Sequence, residues 1–167
     1  MKAMDSTTTR SPEAAVHAVL ARRIDEPGAL LPILHELQDT LGHIPAEAVP
    51  EIASALNLSR AEVHGVLTYY HHFRSEPPGR RVVRICRAEA CQAMGADDLL
   101  AHARQRLDCA VHGTSKDGAF TLEPAFCLGL CASSPAMSID DEPHARMTPG
   151  AFDVLIREAQ GLQEAKP

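Results

Sequence analysis

Apolar residues recur at intervals of three and four over residues 12–73, a period that predicts amphipathic helices. Residues that favour turns interrupt this stretch at three points: Pro27-Gly28, Gly42-His43 and Asn57-Leu58-Ser59. We therefore expect four helices and predict that residues 12–76 form a small helical bundle. Residues 1–11 are small and polar without periodicity, and we expect them to form a disordered tail.

Two of the predicted helix ends carry specific signals. Gly42 follows the last apolar position of the second helix and is expected to be its C-terminal cap. Ser59 and Glu62 form an S-x-x-E capping box, which places the start of the fourth helix at Arg60. The apolar pattern then predicts that this helix continues to Phe73.

Pro77-Pro78-Gly79 is the strongest break in the chain, and the hydrophobic pattern changes after it. The elements that we predict beyond this break are, in chain order, a strand at 82–85, a helix at 97–107, strands near 119–125, 135–140 and 144–147, and a helix beginning at Pro149 with Thr148 as its N-cap. This order predicts a small open sheet with helices on its faces. We place a second domain at 80–162, which makes the whole chain α+β.

Composition and charge exclude two classes of partner. The net charge is −6 and aromatic residues make up 4% of the chain, with no Trp, which argues against nucleic-acid binding. Purely apolar runs are only a few residues long, far short of the ~20 that span a bilayer. The first twelve residues resemble no export signal, so we predict a cytoplasmic protein without a membrane span.

Four of the five cysteines form two closely spaced pairs. Cys86 and Cys91 make a C-x4-C pair, Cys127 and Cys131 make a C-x3-C pair, and each pair follows a predicted strand. Strand ends at one edge of a sheet are where such folds present functional groups, so we expect the two pairs to converge. In an unexported chain this pattern favours metal ligation over disulfides.

The spacing of the pairs bears on which metal they bind. Zinc sites with four cysteines favour C-x2-C pairs, and neither pair has that spacing. A C-x4-C pair suits a [2Fe–2S] cluster, whose two irons need sulfurs over a larger footprint. A thioredoxin-type oxidoreductase would also need a reactive C-x2-C. We therefore predict an electron-transfer protein with one [2Fe–2S] cluster, and a zinc-stabilised interaction module stays the alternative from another class.

The sequence resembles the thioredoxin-like [2Fe–2S] subunits of NADH-oxidising complexes, relatives of the 24 kDa subunit of respiratory complex I, from about Ala14 to its end. The resemblance rests on the segment 65–70 with the Pro78-Gly79 break after it, on the C-x4-C pair, and on the segment 127–131 with Pro135 after it. It implies a thioredoxin-like second domain with a small mixed sheet. It also implies that residues 12–76 dock on a flavoprotein neighbour.

Carried over position by position, the resemblance makes four cysteines the cluster ligands: Cys86, Cys91, Cys127 and Cys131. Within the family, the segment 85–95 looks most like the gamma subunit of soluble, molybdenum-containing, NAD-dependent formate dehydrogenases. That resemblance implies two partners, an FMN- and NAD-binding iron–sulfur flavoprotein and a large molybdenum subunit. Bidirectional NAD-linked hydrogenases and complex I have equivalent subunits, and these stay open as alternatives.

The glycines test whether a dinucleotide site lies in this chain. No two of the ten glycines are spaced as G-x-G, and we interpret Gly113–Gly118 as a turn. The nicotinamide and flavin are therefore expected on a partner, and we predict no catalytic residues here. Gly95 and Gly129 are expected to let backbone N–H groups approach the sulfurs. The fifth thiol, Cys109, is expected to be a packed small residue.

Overall fold

The computed structural model describes residues 11–164 and divides into two compact units between Pro77 and Pro78. The predicted tail at 1–11 falls outside the described residues except for Ser11, which is not part of a tail. Ser11 is the N-cap of the first helix, and its hydroxyl accepts a hydrogen bond from the Ala14 N–H at 3.2 Å. The capping bond gives an acceptor to one of the N–H groups that have no partner within the helix at its start.

The described part of the first unit contains four helices: α1 (Pro12–Arg23), α2 (Leu30–Leu41), α3 (Ala48–Ala55) and α4 (Arg60–Tyr69). Their apolar faces meet in one core whose largest fully buried members are Ile33, Leu34, Leu37, Ile44 and Ile52. Gly42 ends α2 with a φ of 79°, a left-handed conformation that glycine adopts without strain. The capping box at Ser59 and Glu62 is formed in both directions.

The fourth helix ends at Tyr69 and does not reach Phe73, so this predicted boundary is wrong. Tyr70 has extended backbone angles, and the chain then folds back so that Phe73 enters the helical core. The buried Gln38 side chain holds this return by bonding the His72 carbonyl and the Arg74 N–H, each at 2.7 Å. These tertiary bonds satisfy the backbone outside the helix, which local periodicity does not show.

Up to residue 164, the second unit contains five strands and three α-helices: β1 (Arg81–Cys86), α5 (Glu89–Ala93), α6 (Ala96–Leu107), β2 (Gly113–Thr114), β3 (Phe120–Ala125), β4 (Met137–Ile139), β5 (Glu142–His144) and α7 (Pro149–Glu164). The strand order in the sheet is β2-β3-β1-β4-β5. The central pair β1 and β3 is parallel, and the other three pairings are antiparallel. The prediction of an α+β chain with a small mixed sheet is confirmed.

The last strand lies earlier than predicted, at Glu142–His144 instead of 144–147. Asp140 adopts a φ of 54° and starts a two-residue turn, so β5 pairs with β4 at once. Arg146 and Met147 leave the sheet, because their N–H groups donate to the carbonyls of Ser133 and Pro135. The elements α5 and β2 are additional to the prediction.

The core of the second unit lies on one face of the sheet. Val83 and Ile85 of β1 point to it and pack with α6 and α7 through residues such as Leu99 and Phe152. Because side chains alternate along a strand, Cys86 points to the opposite face. A separate small cluster forms there from Cys86, Cys91, Ala96 and Ala136.

Candidate functional site

The two cysteine loops leave the sheet at the same edge. In the parallel pair of β1 and β3, Cys86 is in register with Ala125, two residues before Cys127. The backbone N–H of Arg87 still donates to the Ala125 carbonyl at 2.6 Å, so the two strands stay joined as they end. The predicted convergence of the cysteine pairs thus follows from the carboxyl ends of two neighbouring parallel strands.

Cys86 and Cys91 are buried and face each other. Their exposed fractions are 1% and 2%, and the short helix α5 carries Cys91 back toward the end of β1. Burial raises the pKa of Cys86 above its usual range, although the N–H groups of Ala88 and Leu128 donate to its sulfur. These donors favour a thiolate at a position that desolvation otherwise makes unfavourable.

The pKa of Cys91 moves in the other direction. Burial alone would raise it, but hydrogen bonds with the Ser134 hydroxyl, the Cys86 thiol and the Ala136 N–H together lower it. Cys91 is therefore a buried sulfur with several hydrogen-bond partners, which favour its thiolate form.

Cys127 and Cys131 are exposed, and their sulfurs lie 3.9 Å apart. The N–H of Gly129 donates to the Cys127 sulfur at 3.3 Å, which confirms the expected approach of backbone to sulfur at this glycine. Cys127 itself has a φ of 119°, a region that residues with a side chain rarely adopt. Such strain is typical of functional loops that the surrounding structure holds in place.

The four thiols form one electrostatic group. The pKa of Cys131 is raised mainly by its hydrogen bond with Cys127. The charges of Cys91 and Cys86 raise it as well. The sulfurs lie as two pairs, Cys86 with Cys91 and Cys127 with Cys131, and four cysteine sulfurs are the donor set that a [2Fe–2S] cluster uses.

Arg87, in the loop between the first two cysteines, connects three parts of the site. Its guanidinium pairs with Asp97 in the first turn of α6 at 2.9 Å, and its carbonyl accepts a bond from the Gln92 side chain at 2.8 Å. Its Nε is buried and has no hydrogen-bond partner among the described residues. Together with the bond from the Arg87 N–H to the Ala125 carbonyl, these contacts hold the C-x4-C loop against both β3 and α6.

Sequence reasoning missed the hydroxyl of Ser134, which lies 3.5 Å from the Cys91 sulfur. The one available signal was a polar residue three positions after Cys131 and directly before Pro135. The expectation for Gly95 is wrong: its N–H donates to the Gln92 carbonyl, and its φ of 93° makes it the N-cap of α6. Glycine is used there for a turn between helices.

Two further expectations are confirmed. Cys109 is partly buried and packs against the core of the second unit, away from the two cysteine pairs. The turn predicted at Gly113–Gly118 is confirmed for residues 115–118, which lie between β2 and β3 and in which the Gly118 N–H donates to the Ser115 carbonyl at 2.8 Å, whereas Gly113 and Thr114 form β2. In the part of the chain that the structure describes, no helix has the length and apolar character to span a membrane.

Comparison with solved structures places the fold. The chain superposes on part of a chain in the crystal structure of an air-oxidised NAD+-reducing [NiFe]-hydrogenase with a TM-score of 0.66 and 25% identity. The match covers 87% of this chain and 25% of the hydrogenase chain, so the likeness is to a quarter of that chain. It agrees with the thioredoxin-like architecture predicted for the second unit.

Comparison with curated proteins gives relatives along most of the chain. An NADH-quinone oxidoreductase subunit of Rhizobium meliloti (strain 1021) is 33% identical over 84% of both chains. The NADH-quinone oxidoreductase subunit matched in Escherichia coli (strain K12) is 35% identical over 79% of this chain and 80% of its own. The NADP-reducing hydrogenase subunit HndA of Solidesulfovibrio fructosivorans is 28% identical over 78% of this chain and 77% of its own.

The profile of one family covers both units. The family described as thioredoxin-like [2Fe-2S] ferredoxin matches residues 16–160, which include all four paired cysteines. Three observations agree: the family match, the relatives that align over most of the chain, and the convergence of the two cysteine pairs. The chain therefore belongs to the thioredoxin-like [2Fe–2S] ferredoxin family, and its cofactor is one [2Fe–2S] cluster.

Proposed function

We propose that Cys86, Cys91, Cys127 and Cys131 hold the cluster and that the chain is the electron-transfer subunit of an NAD-dependent formate dehydrogenase. The observation that carries the ligand assignment is the convergence of the two cysteine pairs at the carboxyl ends of β1 and β3. When bound, a [2Fe–2S] cluster supplies one-electron transfer at a potential that its surroundings adjust. The chain's own residues have to bind it and control its charge.

Burial and hydrogen bonding differ between the two sides of the site. The side of the site with Cys86 and Cys91 is closed to water, and N–H groups of Ala88 and Ala136 point at the sulfurs. Such donors offset the negative charge that four thiolates bring and that reduction increases. The side with Cys127 and Cys131 is open, which leaves a short path for an electron to a neighbouring protein.

A flavoprotein that binds FMN and NAD is the proposed neighbour. Phe126, directly before Cys127, is 70% exposed, and Met94, three residues after Cys91, is 62% exposed. Large apolar side chains exposed beside a functional site are typical of a docking surface. We propose that residues 12–76 are a domain that also docks on this flavoprotein. The complex is proposed to be cytoplasmic.

The proposal of a formate dehydrogenase rests on the segment 85–95, which resembles the gamma subunit of the molybdenum enzymes. A large molybdenum subunit is then the catalytic partner. The second candidate is an equivalent subunit of an NAD-linked hydrogenase or of complex I. The likeness to the NAD+-reducing hydrogenase and to the NADH-quinone oxidoreductase subunits supports that candidate.

The first experiment tests for the [2Fe–2S] cluster that these cysteines are proposed to hold. Anaerobically purified protein is analysed for iron and acid-labile sulfide and by EPR after dithionite reduction. We expect two irons and two sulfides per chain and an S = 1/2 signal, as a [2Fe–2S] cluster requires. One zinc without sulfide would overturn the assignment and favour a structural zinc module.

A second experiment tests the complex. The native assembly is purified through an affinity tag on this chain, and its metals and subunits are identified. A flavoprotein together with a molybdenum subunit and formate-dependent NAD reduction would support the formate dehydrogenase. A nickel subunit would support the hydrogenase instead, and a quinone-reducing assembly would support complex I.

A further inference from the structure

Among the described residues, the Ser134 side chain contacts one of the four paired cysteine sulfurs. The Ser134 Oγ lies 3.5 Å from the Cys91 sulfur, within the distance of a hydrogen bond to sulfur, and the Cys91 thiol donates to it. The same hydroxyl donates its own hydrogen to the Cys131 carbonyl at 2.8 Å. Ser134 therefore joins a sulfur of the buried pair to the backbone of the exposed pair.

Ligation changes the hydrogen bonds available to this serine. A cysteine that binds metal loses its thiol hydrogen and can only accept. The sulfur of Cys91 and the carbonyl of Cys131 then both accept, and they compete for the single hydrogen of the Ser134 hydroxyl. Because charge-assisted hydrogen bonds are stronger than neutral ones, added negative charge on the sulfur favours donation to Cys91.

We propose that Ser134 is a positioning residue that donates its hydroxyl hydrogen to the Cys91 thiolate more strongly in the reduced protein, and so raises the reduction potential. The proposal rests on the proposed role of Cys91 as a ligand. Other donors in this cluster are backbone N–H groups, such as those of Ala88, Leu128 and Ala136, which a substitution does not remove. Ser134 is thus a place where side-chain chemistry alters the hydrogen bonding of a sulfur directly.

The chain offers a matched control in Ser133. It is the same residue type in the same turn and is also partly buried. Its carbonyl accepts from the Arg146 N–H, which a change of side chain preserves. Among the described residues, no hydrogen bond joins the Ser133 hydroxyl to a cysteine.

The test compares Ser134→Ala, Ser134→Gly, Ser134→Thr and Ser133→Ala with the unchanged full chain. The readouts are iron and sulfide content, the midpoint potential from an EPR-monitored redox titration, and Fe–S(Cys) stretching bands in H2O and D2O by resonance Raman. We expect Ser134→Ala to lower the equilibrium constant for reduction about threefold to tenfold, which is about 30 to 59 mV for one electron. Its D2O shift should shrink, while Ser134→Thr and Ser133→Ala stay near the unchanged protein.

Each outcome decides between the two proposals. A cluster-loaded Ser134→Ala with an unchanged potential would overturn the role of Ser134 and leave the proposed function intact. Cluster loss in Ser134→Ala and also in Ser134→Gly, with native circular dichroism, would overturn it as well, because Ser134 would then be required for assembly. Absence of iron and sulfide from the unchanged protein would instead overturn the proposed function.

Discussion

The two cysteine pairs are built in opposite ways. Cys86 and Cys91 are buried between the end of a central strand and a helix, in contact with Ala96 and Ala136. Cys127 and Cys131 lie on an exposed loop whose backbone takes left-handed angles at Cys127 and Gly129. One pair is held by packing, and the other by the conformation of its loop.

This difference teaches how an electron-transfer site combines stability with access. Packed groups resist displacement because the protein interior is as dense as an organic crystal. An exposed loop can approach a partner, but it must fix its geometry through local bonds such as that from the Gly129 N–H to Cys127. On the ligand assignment proposed above, the buried pair anchors the cluster and the exposed pair faces the partner protein.

The largest expected effect comes from exchanging sulfur for oxygen in each pair. Cys86→Ser places a hydroxyl where 1% of the residue is exposed, and we expect loss of the cluster and of about 1–3 kcal/mol of unfolding free energy. Cys131→Ser has solvent around it, and we expect it to keep a cluster with an altered EPR signal. Iron analysis, EPR and urea unfolding measure the two effects.

Cys109→Ser is the control, because Cys109 packs against a different cluster and should retain full iron content. Equal cluster loss in Cys86→Ser and Cys131→Ser would contradict the distinction between an anchoring and a facing pair. Cluster loss in Cys131→Ser alone would show that the exposed pair, and not the buried pair, anchors the cluster.

The prediction of the site from sequence succeeded where the signal was local or topological. Apolar periodicity and the capping box at Ser59 gave the helices of the first unit, because these depend on neighbours within one turn. The meeting of the two cysteine pairs followed from a rule about strand ends. Both inferences need only the order of residues along the chain.

Other features depend on contacts that the sequence does not display. Strand β2 has two residues and helix α5 has five, too few for a period to emerge. The early end of α4 depends on Gln38, which bonds residues 34 and 36 positions away. Ser134 meets Cys91 across 43 positions, so its role is visible only in the folded chain.

A smaller effect is expected in the accessibility of the thiols after the cluster has been removed by a chelator. Burial raises the pKa of Cys86, which lowers its thiolate fraction at neutral pH, and Cys91 is equally buried although its pKa is lowered. Both should react with iodoacetamide only after local opening. An opening free energy of about 1.4 kcal/mol already gives labelling about tenfold slower than at exposed Cys127 and Cys131.

Peptide mass spectrometry at successive times measures each rate. Labelling in 6 M guanidinium is the control, because unfolding should bring all four rates together. Equal rates at the four cysteines of the native, cluster-free chain would show that the buried pair is not protected.

The smallest expected effect on stability tests the conformation of the exposed loop. Gly129 has a φ of 77°, and a Cβ added there meets nothing within 4 Å, so a substitution acts through backbone strain alone. We expect Gly129→Ala to cost about 1 kcal/mol and Gly129→Asn less, because Asn tolerates this conformation. Gly129→Val should also shift the potential or lose the cluster, since the strained loop carries the N–H that donates to Cys127.

Gly161→Ala in helix α7 is the control of opposite sign. This glycine also has open space around an added Cβ, but its φ lies outside the left-handed region, so we expect a gain of up to about 1 kcal/mol. Urea unfolding and EPR-monitored titration distinguish the variants. If Gly129→Val keeps both the stability and the potential of the unchanged protein, the loop conformation does not hold Cys127, and the exposed pair must be fixed by the cluster itself.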